Sequence, residues 1–385
     1  MKERDQQPGR QSEIPPETQT GRDSLGRRSA FVQRFKRKAF YWLYVCATSL
    51  ALCAAALLVG EILCRNFSEI PLGGNSRNLF AANAFGESKG NAKNATAVSF
   101  GVTVYTDDNG FRAPPPGTAT PTPSEPRSEA VLILGDSVAF GAGVEEPETL
   151  AGRLRTEHPE LAILNSSVIG YRTSDYLNVI DYFPLPENLV TRVYLVFCLN
   201  DVSPESAASI DQSLADAGDK HRKSENFVES MKKVSLFARF NEFLRPRSKL
   251  YLLAKNNLTN SKKRYQLQTL GLYSPSRESD LREAFLPIVE ISLKLDHLGI
   301  AFMVIIPPFD FQVDTKDSKD LAPQRWLTSA LAEEGIDFID ARGAFAGQQA
   351  PSEDFFLPYD TMHLSALGHR IIAEIISQDL STSSQ

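Results

Sequence analysis

Four short stretches of this chain carry side chains that could act together. Gly135-Asp136-Ser137-Val138 follows directly on an apolar run, Val131–Leu134. A serine at a strand-to-helix turn has its hydroxyl at the carboxyl edge of a sheet and its N–H at a helix amino terminus, which suits attack on a carbonyl and binding of negative charge. On its own the tetrapeptide could equally be a helix cap, because Asp and Ser are common there. Asn165-Ser166-Ser167-Val168-Ile169-Gly170 comes just past a second run, Leu161–Leu164, and its glycine lets a backbone N–H approach a ligand closely. Cys198-Leu199-Asn200-Asp201 closes a third run, Val193–Cys198, and presents a carboxamide. Asp360-Thr361-Met362-His363 lies beyond the fifth run, just before a last helical pattern. Together these are the parts of an acyl-transfer site: a hydroxyl nucleophile, an imidazole base, a carboxylate to orient it and donors for a developing oxyanion.

The elements that must position them are readable from residue 130 onward. Short β-branched runs alternate with helical periodicity, the fourth and fifth runs being Ala301–Ile306 and Ile336–Ile339. Helices are expected near 149–157, 173–182, 278–298, 324–334 and 365–380. Runs that are continuously apolar, rather than alternating, belong to strands covered on both faces. The fold class is therefore α/β, a three-layer sandwich around a five-stranded parallel sheet. Such sheets bind ligands outside the carboxyl ends of their strands, the rim on which all four motifs fall.

With these motifs in place the sequence resembles the SGNH (GDSL-type) hydrolase superfamily over roughly residues 130–380. The resemblance rests on GDSVAFGAGV at 135–144, the glycine of NSSVIG, the Asn-Asp of CLND and DTMHLSALGH at 360–369. Cys198 stands where the family's third block usually begins with glycine. NGFR at 109–112 is similar to the lead-in of membrane-anchored members. The resemblance implies a flavodoxin-like fold, with Ser137 as nucleophile, His363 as general base and Asp360 as its orienting partner. It also implies an oxyanion hole made by the N–H groups of Ser137 and Gly170 and the side-chain amide of Asn200. Plainer roles suit the remaining candidates: Asp136 as a turn-former, Asp201 as a brace for its loop, and His369 as structural. His158, His221 and His297 sit in polar contexts without evident partners, and Asp360 itself could be a helix cap.

Ala39 to Gly60 is an uncharged stretch of 22 residues. As a helix rising about 1.5 Å per residue it would span about 30 Å of bilayer hydrocarbon. Phe40, Tyr41, Trp42 and Tyr44 open it, as an interfacial belt would, and Arg34, Lys36, Arg37 and Lys38 precede it. The expected order is a disordered basic cytoplasmic tail over 1–38, a transmembrane anchor over 39–63, an extracytoplasmic linker and lead-in over 64–129, and a hydrolase domain over 130–385. A cleaved signal peptide would have a shorter leading region than these 38 residues.

The net charge of −6 is uneven: residues 1–38 carry ten Lys/Arg against five acids, leaving −11 for the rest. That balance makes nucleic acid a poor partner. The four cysteines form no C-x-x-C spacing, so neither a disulfide framework nor a metal centre is expected, and no cofactor fingerprint is present. Between strands three and four, 203–275 reads as a helical insertion. From Lys220 to Arg264 it has thirteen Lys/Arg against three Glu, and it is either a solvated excursion or a lid facing an anionic lipid or glycan.

The function that follows is a membrane-anchored serine ester hydrolase acting on acyl or acetyl esters. An envelope glycan O-acyltransferase would use the same site, and a non-catalytic scaffold would keep the fold alone.

Overall fold

A computed structural model describes residues 19–118, 129–202, 235–259 and 261–383. They belong to two units, one ending at Asn66 and one running from Phe67 to Gln385.

The first unit is a helix, α1, Gln19–Phe67. Its stretch Gln33–Phe67 is long and apolar enough to cross a membrane, with mean hydropathy 2.1 over its most apolar window. Phe40, Trp42, Leu50 and Leu57 are all exposed on it. Thr48 returns its hydroxyl proton to the carbonyls of Tyr44 and Val45, so the apolar run holds no unsatisfied hydroxyl there. The backbone is already helical from Gln19, where an irregular tail was expected up to residue 38; residues 1–18 lie outside the described residues.

The second unit is built on an eight-stranded sheet in the order β10-β9-β8-β6-β7-β5-β4-β3. Its parallel part is β6 (Ala130–Gly135), β7 (Ala162–Asn165), β8 (Val190–Val196), β9 (Ala301–Ile306) and β10 (Phe338–Asp340), each paired in parallel with its neighbour. These are the five apolar runs, and every residue of β6 is buried. Helix Thr173–Tyr182 packs against Glu278–His297, and Leu150–Glu157 against Ala366–Ser383, giving the layers of the sandwich. The chain steps from β6 to β7 on one side and returns to β8 on the other. The carboxyl end of β6 is thus the switch point of a doubly wound sheet.

The sheet is wider than five strands because the lead-in joins it. β3 (Thr96–Ser99), β4 (Val102–Thr106) and β5 (Arg112–Ala113) continue it as an antiparallel ladder, with Arg112 opposite Asn165 of β7. A separate hairpin pairs β1 (Phe80–Phe85) with β2 (Ser88–Asn91). Leu79, Ala97 and Val104 of this region form a small core with Phe140 and Ala142, which follow the serine turn. The segment 64–129 is therefore largely structured, although the proline-rich part from 119 to 128 lies outside the described residues.

The insertion is helical where it is described: Ser235–Leu244, Lys249–Thr259 and Ser261–Leu272. Residues 203–234, with His221 among them, lie outside the described residues.

Candidate active site

Ser137 begins the four-residue helix α2, Ser137–Phe140, which grows directly out of β6. The turn is compact because Gly135 permits it: a Cβ there would come within 2.9 Å of the Val196 carbonyl of the neighbouring strand. Asp136 caps the helix, its Oδ1 accepting from the Val138 N–H at 2.8 Å. The far end is held by Arg112 of the lead-in. Its guanidinium donates to the carbonyls of Phe140, Gly141 and Val144 and lies 5.0 Å over the Phe140 ring. A buried cation on the last carbonyls of a helix also suits the negative end of its dipole.

His363 reaches the same point from the loop before the last helix. Its backbone carbonyl accepts from the Leu357 N–H at 2.8 Å, and Phe356 bridges to Leu364. The imidazole Nε2 is 2.9 Å from the Ser137 hydroxyl oxygen, and Nδ1 is 2.8 Å from Asp360 Oδ2. The other oxygen of Asp360 accepts from the N–H groups of Thr361, Met362 and His363 at 2.7, 3.0 and 3.0 Å. Burial alone would raise this carboxyl, but the imidazole charge and hydrogen bond together with the Met362 and His363 amides bring it down to about 2. An ionised Asp360 can only accept, so Nδ1 carries the proton and Nε2 is left as the acceptor for the serine. Burial works against the charged imidazole, yet Asp360 outweighs it and His363 is raised above its ordinary value, with a smaller contribution from Asp136.

The three residues expected to donate to an oxyanion sit on adjacent strand ends. Gly170 follows β7 with φ +76°, a conformation glycine adopts freely. Its loop is fixed by Asn165, which donates to the Ala139 carbonyl at 3.1 Å and accepts from the Ser167 N–H at 3.2 Å. Asn200 follows β8, and its side-chain oxygen is buried without a partner among the described residues. Ser137 lies between them at the end of β6, since β6 pairs with both β7 and β8.

The plainer residues fall as follows. Asp201 braces its loop, accepting from the Cys198 N–H at 2.9 Å and the Tyr176 hydroxyl at 2.6 Å. Asp136, Cys198 and Asp201 bring one possible ligand atom each within 4.8 Å of one another, and oxygens of both carboxylates are already engaged as acceptors. His369 is buried, its Nδ1 accepting from the Leu150 N–H at 3.3 Å. His158 does have partners, Ser377 at 2.7 Å and Glu160 at 3.2 Å, so the expectation that it stands alone is corrected.

Sequence reasoning passed over Phe100. The β3–β4 connection is a two-residue turn in which Phe100 (φ +49°) and Gly101 (φ +86°) both take positive φ, as the mirror-image hairpin turn requires. Positive φ is costly for phenylalanine. Its ring lies 5.0 Å from the His363 ring. The one local trace is the Phe-Gly pair itself, whose glycine favours positive φ but does not say what the ring meets.

No family model and no curated protein matches the sequence. Similar solved structures include a lipase/acylhydrolase from Enterococcus faecalis, 13% identical, covering 66% of this chain and 96% of its own, with a TM-score of 0.37. A member of the lipolytic protein G-D-S-L family from Veillonella parvula is 13% identical over 64% of this chain and 94% of its own, with a TM-score of 0.35. A catalytic mutant of an acetylxylan esterase from Geobacillus stearothermophilus is 13% identical over 68% of this chain and 95% of its own, with a TM-score of 0.37.

Proposed function

We propose that this chain is a membrane-anchored serine ester hydrolase of the SGNH (GDSL) type, acting on acyl or acetyl esters. The observation that carries the reading is the unbroken path from the Ser137 hydroxyl through His363 to Asp360, at 2.9 and 2.8 Å. Ser137 Oγ attacks the acyl carbon while its proton passes to His363 Nε2, and Asp360 stabilises the imidazolium that results. The carbonyl oxygen, now negative, is held by the N–H groups of Ser137 and Gly170 and by the amide of Asn200. His363 then returns the proton to the leaving alcohol. Water repeats the sequence on the acyl-enzyme, giving a free acid and restoring the serine.

A fluorophosphonate probe tests this directly. It should label the full-length protein at Ser137, and the Ser137→Ala variant should remain unlabelled while still folding. Labelling that persists in that variant would move the nucleophile elsewhere. For topology, the basic residues before the apolar run favour an amino terminus on the cytoplasmic side and the site beyond the membrane. Protease added to sealed cells should then cut the domain from Phe67 onward; complete protection would reverse the orientation.

A further inference from the structure

A carboxamide serves an oxyanion only if it is held one way round: turned over, it aims an acceptor at the developing negative charge. Keeping the N–H of Asn200 toward the substrate therefore needs a donor to its oxygen. That oxygen is buried, and no described residue donates to it. Two donors of the same turn are committed elsewhere. The Tyr176 hydroxyl donates to Asp201 at 2.6 Å, and the Cys198 N–H donates to the same carboxylate at 2.9 Å.

A buried donor from the insertion is uncommitted. Tyr273 directly follows the helix Ser261–Leu272, is 5% exposed, and its hydroxyl has no partner among the described residues. That helix is docked through Lys262, 2.8 Å from Asp310, and through Gln266, which donates to Asp320 at 2.7 Å. The Tyr273 ring stands edge-on to Trp326, with centroids 5.7 Å apart, and the indole N–H donates to Glu278 at 2.7 Å. Burial first, then the charges of Asp201 and Cys198, push the phenol well above its ordinary range, so the hydroxyl keeps its proton. Both of those charges belong to the turn that carries Asn200. A buried donor and a buried acceptor are thus left over at one turn, where each would otherwise cost free energy of desolvation.

We propose that Tyr273 is a positioning residue for the oxyanion hole: its hydroxyl donates, across one bridging water, to the side-chain oxygen of Asn200 and so turns the amide N–H toward the substrate. This rests on the ester-hydrolase reading and deepens it. A water joins two groups that do not touch directly at little cost when both are otherwise unmet. The insertion then supplies a part of the site from outside the parallel sheet.

The experiment is a double-mutant cycle on the full-length protein in detergent micelles, read by turnover of p-nitrophenyl acetate and by the rate at which fluorophosphonate labels Ser137. Tyr273→Phe should lower kcat about tenfold with KM unchanged, because a misplaced donor is felt only by the developing oxyanion. In an Asn200→Ala background the same change should cost nothing further. The melting temperature should not fall, since the ring keeps its packing against Trp326. No loss from Tyr273→Phe, equal losses in both backgrounds, or a lowered melting temperature would overturn the inference while leaving the hydrolase reading intact. A wild-type rate in Asn200→Ala would overturn it too, with Ser137 and Gly170 left as donors. Absence of turnover together with an unlabelled Ser137 would overturn both.

Discussion

The ring of Phe100 rests 5.0 Å from that of His363, although one belongs to the lead-in ahead of the parallel sheet and the other to the loop before its last helix. The contact fixes the imidazole from the face that its bonds to Ser137 and Asp360 leave free. Phe100→Asn keeps a residue tolerant of positive φ, so the hairpin should survive. The expected result is a kcat about tenfold lower, from loss of orientation, with a stability change under about 1 kcal/mol. Steady-state kinetics and urea unfolding separate the two; unchanged kcat would reduce Phe100 to a packing residue.

Removing the proton acceptor should cost far more than loosening it. His363→Ala is expected to lower turnover by about 10⁴–10⁶, as deletion of a base within a triad does. Asn200→Ala should cost about 10²–10³ through loss of one oxyanion donor. Rates near wild type for either variant, measured with a short p-nitrophenyl ester, would take that residue out of the mechanism.

The pH profile carries a sign. Only neutral His363 can accept the serine proton, and Asp360 raises its pKa above the usual 6.5. Activity should therefore fall on the acid side with a midpoint above 6.5, rather than below it. Arg245 pulls in the opposite direction, so Arg245→Gln should move that midpoint further toward alkaline pH. A midpoint that stays put in this variant would show that the guanidinium does not act on the imidazole.

Stability has its own titration. Burial, with Arg112 nearby, drives His369 down to about 3, whereas in the unfolded chain the imidazole binds a proton below its ordinary value of 6.5. Between those two values the unfolded state holds the extra proton, so folding weakens as pH falls from 6.5 toward 3, by about 1.4 kcal/mol per unit from this group. Urea midpoints taken across that window should slope less in His369→Leu than in the parent. Equal slopes would mean the imidazole is not buried neutral.

Arg112 is expected to matter more for folding than for charge. Its fork donates to the carbonyls of Phe140, Gly141 and Val144, of which Gly141 also accepts from the Val144 N–H at 3.2 Å. Arg112→Met would remove all three charge-assisted bonds and should cost about 3 kcal/mol or more, read as a lower melting temperature. Arg112→Lys should recover little, because an ammonium cannot span the same set. Full recovery by lysine would make charge alone sufficient.

The parallel sheet and its motifs were legible because their signals are local. Val131–Leu134 and Ala301–Ile306 are unbroken apolar runs, and both appear as strands within a residue or two. The site followed from position: serine, glycine, asparagine and histidine each stand just past a run or before the last helix. The third strand begins earlier than its run suggests, at Val190, because Arg192 in it is paired with Asp379 at 2.6 Å. The lead-in strands were not legible. Phe80-Ala81-Ala82-Asn83-Ala84-Phe85 has little intrinsic strand preference, and β3 buries only alternate residues, so tertiary pairing decides both. Phe100 and Arg245 could not be placed at the base by any spacing rule, since contacts across such sequence distances depend on the finished fold.

That arrangement also sets an order of assembly. β5 can pair with β4 early but joins the rest of the sheet only when β7 has been synthesised, and Phe100 has no imidazole to rest on until the chain has been made past His363. A nascent chain therefore carries Ser137 for more than half of its synthesis without His363. On the proposed mechanism, any product truncated before His363 would be inert.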